Sequence, residues 1–246
     1  MRGSLLIILG LLFLIGCKKS EDRVCFKSGG EHTIKEVSLM SFNRLELGPM
    51  VRYILVQDTV EKVVVSGGKN LVNFIETSIE DGKLKIENAN KCNFLRNLSL
   101  EVVVEVHFKS MFNVLFEGTK PLSCKNQLNI PFLTFVIKDG AGLCDLNVKS
   151  DALTVVVTNG WGNFELHGET GFLKLDIRTN GFGTSYDLNV RDSINVISSS
   201  SELVKITADT IPLRVEVASY GDVWYIGTPT SVEYNRYGEG ELIDKN

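Results

Sequence analysis

Acidic side chains are the first candidates for chemistry, because enzymes that cut acidic polysaccharides use clustered carboxylates together with calcium or a basic side chain. The chain offers Asp139, Asp145, Asp176, Arg178 and Asp187 for such a cluster. These residues fall at different positions of the local apolar pattern, which favours separate, solvated surface groups. The sequence therefore predicts no catalytic residue, and a protein that is not an enzyme.

The remaining reactive residue types match no known site pattern. His32, His107 and His167 lack the spacing of zinc ligands. The chain has no Gly-x-Ser-x-Gly nucleophile elbow, and its glycine turns lack the Gly-Lys-Ser/Thr ending of a phosphate loop. The formal net charge of -4 provides no basic surface for nucleic acid. No metal, cofactor or nucleic-acid partner is predicted.

Cys17 is the cysteine with the clearest chemistry. Arg2 precedes an apolar stretch, Leu5 to Ile15, that is shorter than the roughly 20 residues needed to span a bilayer. The following Leu14-Ile15-Gly16-Cys17 resembles the lipobox of bacterial lipoproteins, where cleavage precedes the cysteine and its thiol carries a diacylglyceryl group. Residues 1–17 are therefore predicted to be a lipoprotein signal peptide ending in the lipidated Cys17. An ordinary secretory signal is the alternative.

Residues 18–24 are predicted to be a flexible tether, because Lys18, Lys19, Ser20, Glu21 and Asp22 have nothing to bury. The tether resembles the lysine-then-acid export signal of Bacteroidetes lipoproteins, although a plain solvated linker explains it nearly as well. Together with the lipobox, this segment predicts a protein anchored by lipid in the outer membrane, facing the cell surface or the periplasm.

The elements that must position any site are revealed by a repeat of about twenty residues. Successive apolar runs open at spacings of 20, 20, 21, 19 and 19, at Leu133, Leu153, Leu173, Ile194, Leu213 and Val232. A constant period of this length, with two short strands per unit, is typical of stacked solenoid rungs. A β-sandwich also has short strands but does not explain the period. The prediction is an all-β chain with a parallel β-helix or β-solenoid over residues 111–246.

Glycine-bearing corners recur in the repeat, because asparagine and glycine accept left-handed backbone angles. They are Asp139-Gly140-Ala141-Gly142, Asn159-Gly160-Trp161-Gly162 and Asn180-Gly181-Phe182-Gly183, with Ser198 to Ser201 and Tyr220-Gly221 at the same place in later units. After each corner the second strand is predicted to point one apolar residue inward: Leu146, Leu166, Leu188 and Ile206.

Residues 25–110 are predicted to form an antiparallel β part that precedes the solenoid. Val51 to Val56 and Lys62 to Val65 alternate or run apolar, and Asp81-Gly82 lies between apolar positions as in a two-residue hairpin turn. One helical turn is expected within Asn70 to Glu76. The alternating Leu100 to Phe108 then leads into the solenoid.

Several motifs resemble a family of Bacteroidetes lipoproteins that carry the "putative auto-transporter adhesin, head GIN domain". Besides the Gly-x-Gly corners, they are Cys25-Phe26-Lys27-Ser28, Gly67-Gly68-Lys69-Asn70-Leu71, Asn90-Lys91-Cys92-Asn93-Phe94-Leu95-Arg96 and Gly221-Asp222-Val223-Trp224-Tyr225-Ile226-Gly227-Thr228-Pro229. The resemblance covers nearly the whole chain after the signal peptide. It implies a β-helix-like domain and an adhesin-like role.

Four cysteines remain after Cys17 in a chain predicted to leave the cytoplasm, so disulfides are allowed. Cys25 and Cys92 lie within the segments that resemble the family and outside the repeat, and a disulfide between them is predicted. Two buried free thiols are the alternative. Cys124 and Cys144 are one repeat apart and could be bonded or could pack as small apolar side chains; both readings stay open.

Trp161, Phe182 and Tyr220 recur at the corners and form the one pattern typical of a binding surface. On one edge they would form an aromatic strip suited to sugar rings or a protein partner. The competing interpretation is that each ring covers its own neighbours along the solenoid.

The sequence thus predicts a non-catalytic, lipid-anchored, adhesin-like module. Its partners would be the membrane, through the anchor, and an unidentified glycan or protein; its oligomeric state stays open. One alternative is a polysaccharide lyase or hydrolase on a β-helix. Another is a structural envelope component that self-associates through the solenoid end, against which the charged Glu239, Glu241 and Asp244 argue.

Overall fold

The computed structural model of the protein describes residues 28–90 and 101–246. The predicted lipid-attachment residue Cys17 and the predicted Cys25–Cys92 disulfide lie outside the described residues and stay predictions. The protein is nearly all β, with 64% strand and 2% helix. No helix among the described residues is both long and apolar enough to cross a membrane.

The strands in the first half of the chain are short. In chain order they are β1 (His32–Ser38), β2 (Arg44–Leu47), β3 (Arg52–Gln57), β4 (Lys62–Gly68), β5 (Ile75–Glu80), β6 (Lys83–Asn88), β7 (Val103–Phe108), β8 (Asn113–Phe116), β9 (Leu122–Cys124) and β10 (Leu128–Asn129). A single helical turn, α1 (Lys69–Val72), separates β4 from β5 and overlaps Asn70 to Glu76, where a helical turn is expected.

The second half contains longer strands. They are β11 (Phe132–Lys138), β12 (Leu143–Thr158), β13 (Asn163–Thr179), β14 (Phe182–Ser200), β15 (Val204–Thr207), β16 (Pro212–Val217), β17 (Val223–Ile226), β18 (Ser231–Arg236) and β19 (Leu242–Asp244). Because β12, β13 and β14 each bend in the middle, each contributes to both of the sheet faces that enclose the core.

The chain coils into a parallel β-solenoid of about 7 turns with rungs of about 20 residues, which confirms the predicted fold class. Face A contains β2, β8, β11, the second halves of β12 to β14, β16 and β18. Face B contains β3, β9, the first halves of β12 to β14, β15, β17 and β19. Each turn supplies one strand to each face.

The predicted repeat is the inward column of face A. Leu133 pairs with Leu153, Leu153 with Leu173, Leu173 with Ile194, Ile194 with Leu213 and Leu213 with Val232. The first five side chains are at most 2% exposed, while Val232 in the last turn is 47% exposed. Stacking at strand spacing pairs the backbones and buries the apolar columns together.

Parallel pairing begins upstream of the boundary predicted at residue 111. On face A, β2 runs parallel to β8 and β6; on face B, β3 runs parallel to β9 and β7. Antiparallel pairing within the predicted 25–110 segment is confined to β1–β4, β4–β7 and β5–β6. Alternating apolar residues look the same in parallel and antiparallel strands, so the sequence pattern did not separate the two.

The predicted hairpin turn is present. Glu80 pairs with Lys83 across a two-residue loop in which Asp81 and Gly82 have φ angles of 49° and 73°. Two consecutive left-handed residues define the turn whose twist matches antiparallel strands.

Aromatic residues from β3, β8 and β11 fill the core in the first turns of the coil. The ring of Phe116 lies 6.4 Å from that of Tyr53 and 6.5 Å from that of Phe135, and all three side chains are fully buried. The Tyr53 hydroxyl donates a hydrogen bond to the Gly48 carbonyl at 3.1 Å. A buried tyrosine needs such a partner, so this contact fixes the ring against the bend between β2 and β3.

Two irregularities in β14, together with a preceding corner that is one residue shorter, explain why one spacing in the repeat is 21. The pairing of β13 with β14 shifts between Glu165 and His167 and again between Thr170 and Phe172. Each shift inserts one residue into β14, as in a β-bulge. Leu188 is buried as predicted, and it pairs with Gly168. The predicted inward residue of the next turn, Ile206, pairs with the buried Ser185 and not with Leu188.

Candidate functional site

The two edges of the solenoid are built differently. We call the edge that leads from face A to face B the glycine corner; it includes residues 139–142, 159–162, 179–181 and 218–222. Asp139, Asn159 and Thr179 hold its left-handed angles, at φ 54°, 57° and 59°. In the third unit Thr179, and not the predicted Asn180, adopts this conformation.

The opposite edge, from face B back to face A, is the bent corner; it includes residues 148–152, 168–172 and 188–193, where the strands turn without a break. Ser150 and Thr170 are buried there, and the Ser150 hydroxyl donates to Thr170 Oγ1 at 2.8 Å. Thr170 Oγ1 in turn donates to the Phe172 carbonyl at 3.1 Å. Buried hydroxyls therefore hold this edge together.

Two of the three predicted edge aromatics lie at the glycine corner with exposed rings. Trp161 is 56% exposed and Tyr220 is 68% exposed. The pairing on face B aligns Trp161 with Asn180, Asn180 with Ser201 and Ser201 with Tyr220. The Ser201 hydroxyl donates to Asn180 Oδ1 at 2.7 Å. Three rungs, roughly 14 Å, thus separate the two rings along the edge.

Phe182 does not join that column. Six positions separate Val157 from Asn163, but five separate Ile177 from Phe182, so the third corner is one residue shorter. Phe182 becomes the first residue of β14 and pairs with Asn163 on face B. The three aromatics therefore do not form one continuous strip.

Phe182 forms the floor of a groove, the Phe182 groove, of about 260 Å³ on face B beside the glycine corner. Three neighbouring turns line it, with Asn163, Glu165, Phe182, Gly183, Thr184, Glu202, Leu203 and Lys205. Glu165, Thr184 and Lys205 stand in one outward column. Sequence reasoning missed this set, because its members are about twenty residues apart; the register of the repeat was the signal that could have aligned them.

The predicted solvated acids are more closely associated than expected. Asp176 forms an ion pair with Arg178, in which Oδ2 lies 2.8 Å from Nη2. His167 lies between two others, with Nε2 3.3 Å from Asp145 Oδ1 and Nδ1 3.7 Å from Asp187 Oδ2. These three residues lie on successive rungs of face B, where His167 pairs with Asp187 and Asp145 stands diagonally to His167, which the sequence analysis did not anticipate.

A second histidine, His107 on β7, is buried. His107 Nδ1 lies 2.9 Å from Asp58 Oδ2, and its Nε2 lies 3.4 Å from Glu105 Oε2. The contact with His107 holds the pKa of Asp58 below its ordinary value, because hydrogen bonding favours the carboxylate. Across the described residues, no group of three or more histidine, cysteine or acidic side chains could hold a metal ion.

Cys124 and Cys144, the pair left open by the sequence, are free thiols. The turn that contains Cys124 has two extra residues between Leu122 and Leu128. Cys144 therefore pairs with Leu122, and Cys124 and Cys144 are not opposite each other. Burial raises the pKa of Cys124 to about 12 and that of Cys144 well above its ordinary value. Both thiols therefore pack as small apolar groups and are poor nucleophiles.

The chain belongs to a family described as "Putative auto-transporter adhesin, head GIN domain", whose model matches residues 41–229. The match includes the Phe182 groove and both corners and ends before β18. No curated protein sequence matches the chain significantly.

Solved structures from Bacteroidetes share the fold. A "putative adhesin" from Bacteroides fragilis aligns with a TM-score of 0.77 at 18% identity, covering 87% of this chain and 97% of that one. A "putative adhesin" from Parabacteroides distasonis has a TM-score of 0.65 at 16% identity, covering 88% and 98%. A "putative lipid binding protein" from the same species has a TM-score of 0.59 at 15% identity, covering 89% and 98%. At these identities the likeness is one of fold.

Proposed function

We propose that the protein is a non-catalytic, lipid-anchored module of the outer membrane that binds a glycan or a protein through the side of its solenoid. The observation that carries the proposal is the exposure of Trp161 and Tyr220 on one edge, next to the Phe182 groove. Large exposed aromatic rings on a rigid scaffold are typical of binding surfaces. The adhesin-like description of the family supports the same role.

A binding and turnover assay tests this function. The protein is passed over a panel of bacterial and host glycans and surface proteins, and the same mixtures are assayed for new chain ends. Retention without cleavage supports the proposal. Cleavage contradicts it, and the absence of both retention and cleavage shifts the role to a structural one.

The enzyme alternative rests on one observation, the stack of Asp145, His167 and Asp187 on face B. Carboxylates on either side of an imidazole can exchange protons with a bound substrate. If the assay detects cleavage, His167→Ala should abolish it, whereas Arg178→Ala, next to the paired Asp176, should not. Cleavage that survives His167→Ala would place the chemistry elsewhere.

The anchor is tested separately. Multiple acyl chains hold a protein on a membrane far more firmly than one chain. Intact mass should show a chain that begins at Cys17 and carries lipid, and Cys17→Ser should release the protein from the membrane fraction. A membrane-bound Cys17→Ser variant would contradict the lipid attachment.

A further inference from the structure

The Phe182 groove combines an apolar floor with a polar rim. Phe182 and Leu203 lie on adjacent rungs and are half-buried, while Asn163, Thr184 and Lys205 supply an amide, a hydroxyl and an ammonium around them. The volume of about 260 Å³ lies below the roughly 300–1,000 Å³ typical of pockets for drug-sized ligands. The groove therefore suits one small ring of a larger ligand.

Two carboxylates in this groove differ from others on the solenoid. Glu117 pairs with Lys138 at 2.9 Å, and Glu169 pairs with Lys149 at 2.6 Å. Glu165 and Glu202 have no ion-pair partner among the described residues. A carboxylate without a cation keeps its acceptor oxygens free for a ligand.

We propose that the Phe182 groove binds one neutral hexopyranose unit, whose C–H face packs on the Phe182 ring and whose hydroxyls bind Glu165, Glu202 and Asn163. A pyranose has an apolar face and a rim of hydroxyls, which matches the ring and its polar surround. Lys205 in the same groove offsets one of the two negative charges, which favours a neutral ligand over a cationic side chain. The proposal rests on the proposed binding function and names its ligand class.

Trp161 extends the same site along the chain. It lies two residues before Asn163, so its backbone is roughly 7 Å from the groove wall, and its ring is exposed. A second sugar of an oligosaccharide would therefore reach Trp161 beside the first turn of the groove, while Tyr220 flanks its last turn, one rung beyond Ser201.

Saturation-transfer-difference NMR on the full-length protein, in a detergent without sugar groups, tests the proposal. The probes are the methyl pyranosides of mannose, glucose and galactose. At least one should receive saturation at millimolar concentration, with the ring C–H protons receiving the most. Phe182→Ala should weaken its binding about tenfold, because the stacking surface is lost.

Matched variants separate the groove from the general surface. Phe132→Ala removes a ring that is 65% exposed at the bent corner, and Glu169→Gln removes a paired carboxylate; both should leave binding unchanged. Glu165→Gln and Glu202→Gln should weaken binding about threefold, since an amide still forms a hydrogen bond but loses the charge-assisted one.

Salt distinguishes a sugar from a cation. Affinity for a neutral pyranoside should stay the same between 50 and 500 mM sodium chloride, whereas a cation held by carboxylates would be screened. Binding of oligolysine that is lost in high salt and in Glu165→Gln, absence of any pyranoside signal, or a signal insensitive to Phe182→Ala would each overturn the proposal. If Phe182→Ala leaves retention on the glycan and protein panel intact, the groove assignment fails while the binding function stands.

Discussion

The glycine corner and the bent corner each lead the chain from one face to the other, but by different physical means. At the glycine corner, left-handed residues such as Asn159 end one strand before the next begins, and the tip is exposed. At the bent corner the strand continues through the turn, and the hydroxyls of Ser150 and Thr170 satisfy each other inside the core.

This difference teaches where the solenoid is free to vary. The glycine corner also contains a buried hydroxyl, since Ser200 Oγ donates to the Gly181 carbonyl at 2.6 Å, but its tips at Trp161 and Tyr220 are exposed and carry no buried side chain at those two positions. At the bent corner the inward positions, such as Ser150 and Thr170, have no such freedom, because their side chains also fill the core. Variants at the two corners should therefore differ in their effect on stability.

The largest effect is expected at Gly168, on the bent corner. Its φ is +98°, and a Cβ there would lie 2.1 Å from the Val148 carbonyl oxygen. Gly168→Ala should lower the free energy of unfolding by about 2–4 kcal/mol, from the left-handed backbone plus the displaced rung. Urea unfolding followed by circular dichroism measures it.

Gly160→Ala is the matched control at the glycine corner. Gly160 also has a positive φ, of +76°, but its nearest neighbouring atom would be 3.4 Å from the new Cβ. The loss should be about 1–2 kcal/mol, from backbone strain alone. Equal losses for the two alanines would contradict the contribution of the close approach between Gly168 and the Val148 carbonyl.

The next effect concerns the buried hydroxyl pair. Thr170→Val leaves the Ser150 hydroxyl without its acceptor and should cost about 1–3 kcal/mol. Removing both hydroxyls, in Ser150→Ala with Thr170→Val, should cost less than the two single changes added together. Thr154→Val, on the outer surface of face A, should change stability by less than about 0.5 kcal/mol. A Thr170→Val protein as stable as the parent would show that the pair does not hold the edge.

A smaller effect is expected at Asn159, whose φ is 57°. Asn159→Ala should cost about 1 kcal/mol, because alanine adopts the left-handed region less readily than asparagine. Asn159→Gly should restore the parent stability to within about 0.5 kcal/mol. The same urea titration measures both, and a glycine variant as unstable as the alanine one would mean that the side chain, and not the backbone angle, matters.

The smallest effect on stability is expected for the exposed rings. Trp161→Ala and Tyr220→Ala should change the free energy of unfolding by less than about 0.5 kcal/mol, since their rings are largely solvated. Trp224 remains as the fluorescence probe in the first variant. Retention on the glycan and protein panel should fall for Trp161→Ala. If either variant unfolds at a much lower urea concentration than the parent, the result would support the competing interpretation, in which each ring covers its own neighbours along the solenoid.

Much of the fold could be predicted because its signals are local. Leu133, Leu153 and Leu173 stand one rung apart because every turn of the coil needs an inward residue at the same place. Asp139 and Asn159 were recognisable because few residues accept left-handed angles. The bent corner gave no such signal, since Ser150 and Thr170 read as ordinary polar residues until burial makes them partners.

The sequence by itself determined the repeat, the inward columns and the position of the glycine corner, because alternation and backbone preference act within a few residues. Only the tertiary structure decided which side chains meet across turns. One residue fewer between Ile177 and Phe182 moves Phe182 from the corner to face B and places Ser185 at an inward position, and two bulges in β14 shift the register of the residues that follow. Such offsets accumulate from rung to rung, so the Phe182 groove and its carboxylates exist only once the register of neighbouring turns is fixed.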